Sequence, residues 1–289
     1  MTAQSDSRLD GFPEVSVIIP ARNEESSLAA CLRSLLAQTG VKYEILVVDD
    51  GSTDRTRAIA ESFDGVRILA ANPLPPGWTG KNNACQTGAD AARAPWLLFT
   101  DADTVHKPGS LARAMEEARD QGAMLLSYSP EQEVHGIAER ALMPLVFAEL
   151  ARAFAPRKVS DPASPVAAAN GQYLLIASES YLAVGGHAAV AGDLLEDVAL
   201  ARNVKRSGRR LSFRFGGDAV RTRMYRSFSQ MREGWTKNLV LLFPQAGRLA
   251  LRRLLEFVGS VGLFSVAVIA AVIDDHRLAL AAAIVAAPT

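Results

Sequence analysis

Unbroken apolar runs and amphipathic stretches alternate along the first half of the chain. Residues 15–19, VSVII, are continuous and mostly β-branched, as in a strand buried on both faces. Pro20 ends that run, and Ala21-Arg22-Asn23-Glu24 makes a turn. Between 25 and 38 the apolar positions Leu28, Cys31, Leu32, Leu35 and Leu36 fall three and four apart, which predicts an amphipathic helix. Further strands are predicted at 43–48 (YEILVV), 66–70 (VRILA), 97–100 (LLFT) and 123–128 (AMLLSY). Helices are predicted between them: one capped by Ser52, Thr53 or Asp54, one over 82–93, and one from Pro108 to near 120. This alternation over residues 15–128 predicts an α/β fold, a mostly parallel sheet with helices on both faces.

Beyond it the pattern loosens. Residues 133–155 read as a helix with a kink at Pro144. Its apolar run, Ala141 to Phe147, suits either a helix facing an acceptor or membrane, or a plain core helix. A loop at 161–169, a strand at 172–177 and a turn at Gly185-Gly186-His187 follow. A helix opens near Glu196-Asp197 and stops at Gly208, and short strands are expected at 211–215 and 219–222.

The last fifty residues differ in kind. Residues 239–256 mix leucines with Arg248, Arg252 and Arg253, a basic amphipathic pattern suited to a membrane interface. Residues 257–273 carry no charge, and with Leu254 and Leu255 approach the roughly 20 residues a membrane-spanning helix needs. The arginines before it place the preceding domain on the cytoplasmic side of the membrane. A second apolar run, 278–287, is too short to cross, so it is a re-entrant stub or the natural protein continues. The expected organisation is a polar tail (1–14), an α/β domain (15–238, divided near 128/129) and an interfacial and transmembrane segment (239–289).

Composition narrows the partners. Basic and acidic side chains balance at 31 each, so no global positive field favours nucleic acid. Cys31 and Cys85 form no metal or disulfide pattern and read as small core residues. The N-terminal residues show no basic-then-apolar leader.

Two of the predicted strands end in paired carboxylates: Asp49-Asp50 after the second, Asp101 and Asp103 after the fourth. In an open α/β sheet ligands bind beyond the carboxyl ends of the strands. Carboxylates there suit Mg²⁺ or Mn²⁺, which in turn suit a substrate diphosphate.

Four segments occur in a telling order: VIIPARNEE (17–25), VVDDGSTD (47–54), FTDADT (99–104) and LEDVAL (195–200). With them the chain, from residue 15 to about 240, resembles the inverting glycosyltransferases of family 2, which have the GT-A fold. PPGWTGKNNAC (75–85), MYRSF (224–228) and GWTKN (234–238) make it similar to the membrane-bound subgroup acting on carotenoid, hopanoid or related lipid acceptors.

The resemblance implies a hexosyltransferase that moves one sugar from a nucleotide sugar, a UDP-sugar, to a lipid or isoprenoid acceptor. It implies that Pro20, Ala21, Arg22 and Glu24 lie against the nucleoside and that Asp49 or Asp50 reads the base. Asp101-Ala102-Asp103 would meet the diphosphate, with Asp103 and Asp101 holding the metal and Lys81 reaching the same phosphates. The Glu196-Asp197 pair would supply the general base, Asp197 in particular. Arg226, Trp235 and Lys237 would close over the diphosphate or acceptor. The Gln-x-x-Arg-Trp motif of polysaccharide-making members is missing, since Gln230, Arg232 and Trp235 are spaced differently. The competing readings are transfer to a polar acceptor, a sugar nucleotidyltransferase, and a non-catalytic nucleotide-sugar-binding scaffold.

Overall fold

The computed structural model describes residues 12–225, 227–243 and 245–272. The chain divides into two compact units, Met1–Phe228 and Ser229–Thr289.

The first unit opens with β1 (Val15–Ala21), α1 (Leu28–Leu36), β2 (Tyr43–Asp49), α2 (Thr56–Glu61), β3 (Val66–Ala70), α3 (Gly80–Ala91) and β4 (Trp96–Phe99). Next come β5 (Thr104–His106), α4 (Ser110–Gln121), β6 (Leu125–Ser129), β7 (Glu131–Gln132), α5 (Gly136–Ala153) and α6 (Pro156–Ser160). β8 (Leu174–Ala177), α7 (Ser178–Ala183), a 3₁₀ turn (Gly186–Val190), α8 (Glu196–Arg206), β9 (Leu211–Phe215) and β10 (Val220–Thr222) complete it.

Seven strands form the main sheet in the order β3-β2-β1-β4-β8-β6-β9. Only β8 runs against its neighbours, β4 and β6; the remaining pairs are parallel. The carboxyl ends of β1, β2, β4 and β6 therefore share one edge. Because β8 is reversed, the residues leading into it, Gly171 and Gln172, arrive at that same edge. A second sheet, β5-β10-β7, is built from the short strands that follow β4, β9 and β6 respectively.

Alternation along β1 explains the two layers of helices. Val15, Val17 and Ile19 pack with Leu28 and Leu32 of α1 and Leu111 and Met115 of α4. Ile18 turns to the other face, among Ala84 and Cys85 of α3 and Leu200 and Val204 of α8. Each such buried aliphatic side chain contributes about 1.5–3 kcal/mol. Gly88 lets α3 approach the sheet, since a Cβ there would lie 2.4 Å from Ile18 Cγ2.

Of the two readings of the 133–155 helix, one is set aside. α5 is not a plain core helix: Met143 is its one buried side chain, while Ile137, Leu142 and Leu145 are exposed. Pro144 sits within α5, which continues through it.

The second unit contains most of α9 (Phe228–Leu242) and all of α10 (Ala246–Val272). The spanning helix expected over 254–273 finds no support, because among the described residues no helix is long and apolar enough to cross a membrane. Arg248, Arg252, Arg253 and Glu256 occupy the first part of α10, so among the described residues its uncharged part, 257–272, is shorter than the roughly 20 residues a spanning helix needs. The polar N-terminal tail up to residue 11 and the second apolar run at 278–287 lie outside the described residues.

Candidate active site

The turns after β1 and β2 are tied together. Asn23 takes a positive φ of 58°, a conformation asparagine tolerates better than most residues. Its Oδ1 accepts from Thr53 N at 2.8 Å, while Glu24 N donates to Thr56 Oγ1 at 2.7 Å and Glu25 N to Asp54 Oδ2 at 3.1 Å. Asp54 also accepts from Thr56 N at 2.9 Å and so holds the start of α2. Asp49 is buried, and its Oδ1 accepts from Ser52 N at 3.0 Å; that carboxylate shapes the turn. Asp50 instead pairs with Arg22 at 3.5 Å and lies beside Gly80, where a Cβ would come within 2.3 Å of Asp50 Oδ2.

Lys81 stands in the first turn of α3, whose cap is Thr79 accepting from Asn82 N at 3.1 Å. Its ammonium joins the two acidic motifs, 2.9 Å from Asp101 Oδ1 and 2.8 Å from Glu196 Oε1. Burial works against the charge on Lys81, but Asp101 and Glu196 outweigh it and hold the pKa well above the usual lysine value. Asp101 follows β4 and Glu196 opens α8, so this one cation bridges segments almost a hundred residues apart. Gly171 closes the arrangement from the approach to β8: a Cβ there would lie 3.2 Å from Lys81 Nζ and 3.4 Å from Glu196 Oε1.

Asp103 follows Asp101 in the same loop. Its Oδ1 is buried with no hydrogen-bond partner. Burial, and then the like charges of Asp101 and Glu24, push its pKa up to about 7. A divalent cation beside the pair would give that oxygen a partner and favour the ionised form, so the residues present fit such an ion. Among the described residues no group of three or more His, Cys, Asp or Glu side chains is arranged to hold a metal. An Mg²⁺-like ion is usually bound by one or two carboxylates together with substrate phosphates.

The loop carrying both aspartates is held from beneath. Thr100 Oγ1 lies 2.8 Å from Thr104 Oγ1 and 3.1 Å from His106 Nε2, and it donates to Gln172 O at 2.8 Å. Thr104 Oγ1 in turn donates to Asp101 O at 2.6 Å. Burial lowers the His106 pKa to about 3, so this support stays uncharged.

Asp197 lies beside the Lys81–Glu196 pair in the first turn of α8. Its Oδ2 accepts from Gly171 N at 2.8 Å and its Oδ1 from Val198 N at 2.7 Å. Burial, followed by the neighbouring Glu196 charge, raises its pKa to about 7, while Lys81 and the two amides pull the other way. A carboxylate poised near neutrality is suited to general-base work.

The first unit thus brings Lys81, Asp101, Glu196 and Asp197 together, with Pro20 lining the same small cavity as all four. Ala21 and Ala102 are buried near the strand ends, and Arg22 is exposed at the turn. Glu24 lies close enough to Asp103 to perturb it. Arg226 falls outside the described residues, and Trp235 and Lys237 belong to α9 of the second unit.

Sequence reasoning missed four contributors: Gly171, Asn82, His187 and the Thr100–Thr104–His106 support. Buried Asn82 donates through Nδ2 to Val190 O, Ala191 O and Asp193 O, at 2.8, 2.9 and 3.1 Å, which ties the Lys81 helix to the segment before Glu196. His187 lines the cavity and hydrogen bonds to Tyr181 through Nδ1 at 2.8 Å. Asn82 follows Lys81 directly in the sequence, but nothing local shows that its amide reaches residues 190–193.

Comparison with known proteins completes the description. The family model described as "Glycosyl transferase family 2" matches residues 16–170. A 4,4'-diaponeurosporenoate glycosyltransferase from Staphylococcus haemolyticus is 32% identical over 78% of this chain, and one from Staphylococcus aureus is 30% identical over 78%. The matches span 61% and 60% of those proteins, so the chain covers less than two thirds of the relatives' length. Among solved structures, a mannosyltransferase from Pyrobaculum calidifontis in complex with GDP-Man and Mn²⁺ superposes with a TM-score of 0.61 at 22% identity, covering 83% of this chain and 65% of that one. The likeness identifies the fold as α/β of the GT-A type.

Proposed function

This chain belongs to glycosyl transferase family 2, and from that premise we propose that it transfers one sugar from a UDP-sugar to a lipid acceptor of isoprenoid type, with inversion. The observation that carries the reading is the Lys81 bridge, which sets the carboxylate after β4 beside the Glu196-Asp197 pair at the ligand-binding edge of the sheet. The acceptor class is supported by the names of the two staphylococcal relatives.

In this reading Asp50 recognises the base, because Asp49 is engaged in its own turn. Asp101 and Asp103 would hold Mg²⁺ or Mn²⁺, which neutralises charge building on a departing diphosphate. Lys81 adds a second positive charge to the same region and fixes Glu196. Asp197 takes the proton of an acceptor hydroxyl as its oxygen attacks the anomeric carbon. The bond from that carbon to the diphosphate breaks, and the nucleoside diphosphate leaves with the electron pair. Attack opposite the leaving group inverts the anomeric centre. An acceptor carboxylate, already ionised, needs no such base.

Membrane association is supported by α10. Leu251, Leu254, Leu255, Phe257 and Val258 are exposed on a helix that also carries Arg248, Arg252 and Arg253. Such a helix suits the interface of an anionic membrane, where a lipid acceptor is concentrated.

The test is transfer of labelled sugar from UDP-sugars into extractable lipid by membranes containing the protein, with Mn²⁺ or with EDTA. Metal-dependent label in lipid is the expected result. Label released only as free sugar, or found only in water-soluble product, would overturn the lipid-acceptor reading.

A further inference from the structure

A cleft of about 540 Å³ opens between the end of β6, β7 and α5. Its size lies within the roughly 300–1,000 Å³ typical of small-ligand sites. Val134, Met143, Pro144, Phe147 and Phe215 give it apolar walls. Its two charged side chains, Lys107 and Glu131, pair with each other at 2.8 Å, so the lining carries no net charge. We infer that this cleft receives the hydrocarbon tail of the acceptor, with the acceptor's polar end towards Gln132; the inference rests on the lipid-acceptor reading above.

Position supports it first. In the small sheet β10 lies between β5 and β7, and Thr222 is paired with Thr104 on one side and Gln132 on the other. Thr104 follows Asp103 directly, and Thr222 Oγ1 donates to Asp103 O at 3.4 Å. Two strand spacings, roughly 10 Å, therefore separate Gln132 from the strand that continues from Asp103. The cleft and Asp103, one of the two carboxylates proposed to hold the metal, are joined through a single strand.

Chemistry supports it second. Gln132 lines the cleft, and its Nε2 is buried without a hydrogen-bond partner. Leaving such a donor unpaired is costly, and a hydroxyl or carboxylate oxygen on the acceptor supplies the partner once the side chain turns. A polar acceptor would leave the walls of α5 and Phe215 without a matching surface.

Third, α5 continues the apolar wall outside the cleft. Leu142 and Leu145 are 43% and 65% exposed on either side of Met143 and Pro144. A tail longer than the cleft has a surface to follow.

The test uses the full chain with two wall variants. Val134→Trp fills the cleft, and Phe215→Asp places a charge on a side chain already 54% exposed, where folding is little affected. Binding of cis-parinaric acid, a fluorescent polyene acid, and the KM for the labelled lipid acceptor are both measured, with UDP binding in Mn²⁺ as the control. Each variant is expected to weaken parinaric acid binding and raise KM by at least about tenfold, leaving UDP affinity unchanged. Gln132→Leu, which removes only the donor, is expected to raise KM about two- to tenfold. Wild-type transfer to lipid with both wall variants unchanged in KM and in parinaric acid binding would overturn the cleft assignment while leaving the proposed function standing. Absence of lipid transfer by wild type, with UDP binding intact, would overturn the function and the acceptor role of the cleft together.

Discussion

Asp197→Asn removes the proposed base with little change in shape. The wild-type carboxyl has a pKa raised to about 7 by burial and by Glu196. Its basic form therefore rises from roughly a tenth of the enzyme at pH 6 to roughly nine tenths at pH 8, an increase of about tenfold. For a hydroxyl-bearing lipid acceptor kcat/KM is expected to rise with pH by that factor and then level off. In Asp197→Asn the rising limb should vanish and the rate should fall about 10²–10⁴-fold, equivalent to roughly 3–5.5 kcal/mol of transition-state stabilisation. A carboxylic acid acceptor of the same chain length is the internal control. It is ionised across this pH range and has no proton to surrender, so the variant should lose less than about tenfold with it. The assay is initial-rate transfer of labelled sugar to each acceptor between pH 5.5 and 9 at saturating donor, pH values set around the working range of such a base. An Asp197→Asn enzyme that keeps the rising limb, or loses as much activity on the acid as on the alcohol, would refute the assignment.

Lys81→Met leaves Glu196, only 7% exposed, without its cation and beside Asp197. Because Lys81 itself is 39% exposed, the expected destabilisation is about 1–3 kcal/mol, read as a fall in thermal midpoint, and transfer activity should drop with it. Asp103→Asn should abolish the Mn²⁺-dependent part of UDP affinity in calorimetry while the protein keeps its circular dichroism spectrum. Gly171→Ala puts a methyl group 3.2 Å from Lys81 Nζ, so kcat should fall with little change in UDP affinity. Cys31, whose thiol burial pushes up to about 12, and Cys85, raised further by burial, should resist Ellman's reagent at pH 8 until the protein is denatured.

Strand and helix positions in the first unit were legible because continuous apolar runs and three-four spacing are local signals. The run 15–19 became β1, and Leu28, Cys31, Leu32 and Leu35 became the buried side of α1. The reversed direction of β8 was not legible, since a four-residue apolar strand carries no mark of its orientation. That reversal matters: it brings Gly171 to the edge where Asp197 needs an amide.

The candidate site was visible as separate motifs, each a carboxylate pair at a strand end or helix start. Its wiring was not. Lys81 reads alone as a lysine after a glycine-rich turn, and only the fold shows it placed between Asp101 and Glu196. The sequence left Asp49 and Asp50 equivalent, and the proposed preference for Asp50 rests on a contact only the fold supplies, the Ser52 amide on Asp49 Oδ1. At the other end, an apolar count suggested a spanning helix where the arginines and Glu256 share one helix with the apolar residues.

The most direct test of the central claim is the anomeric configuration of the sugar on the lipid product, read by NMR after transfer from an α-linked UDP-sugar. A β-linked glycolipid is the predicted result, as required by single displacement with Asp197 as base. An α-linked glycolipid, or free sugar in place of any glycolipid, would contradict it.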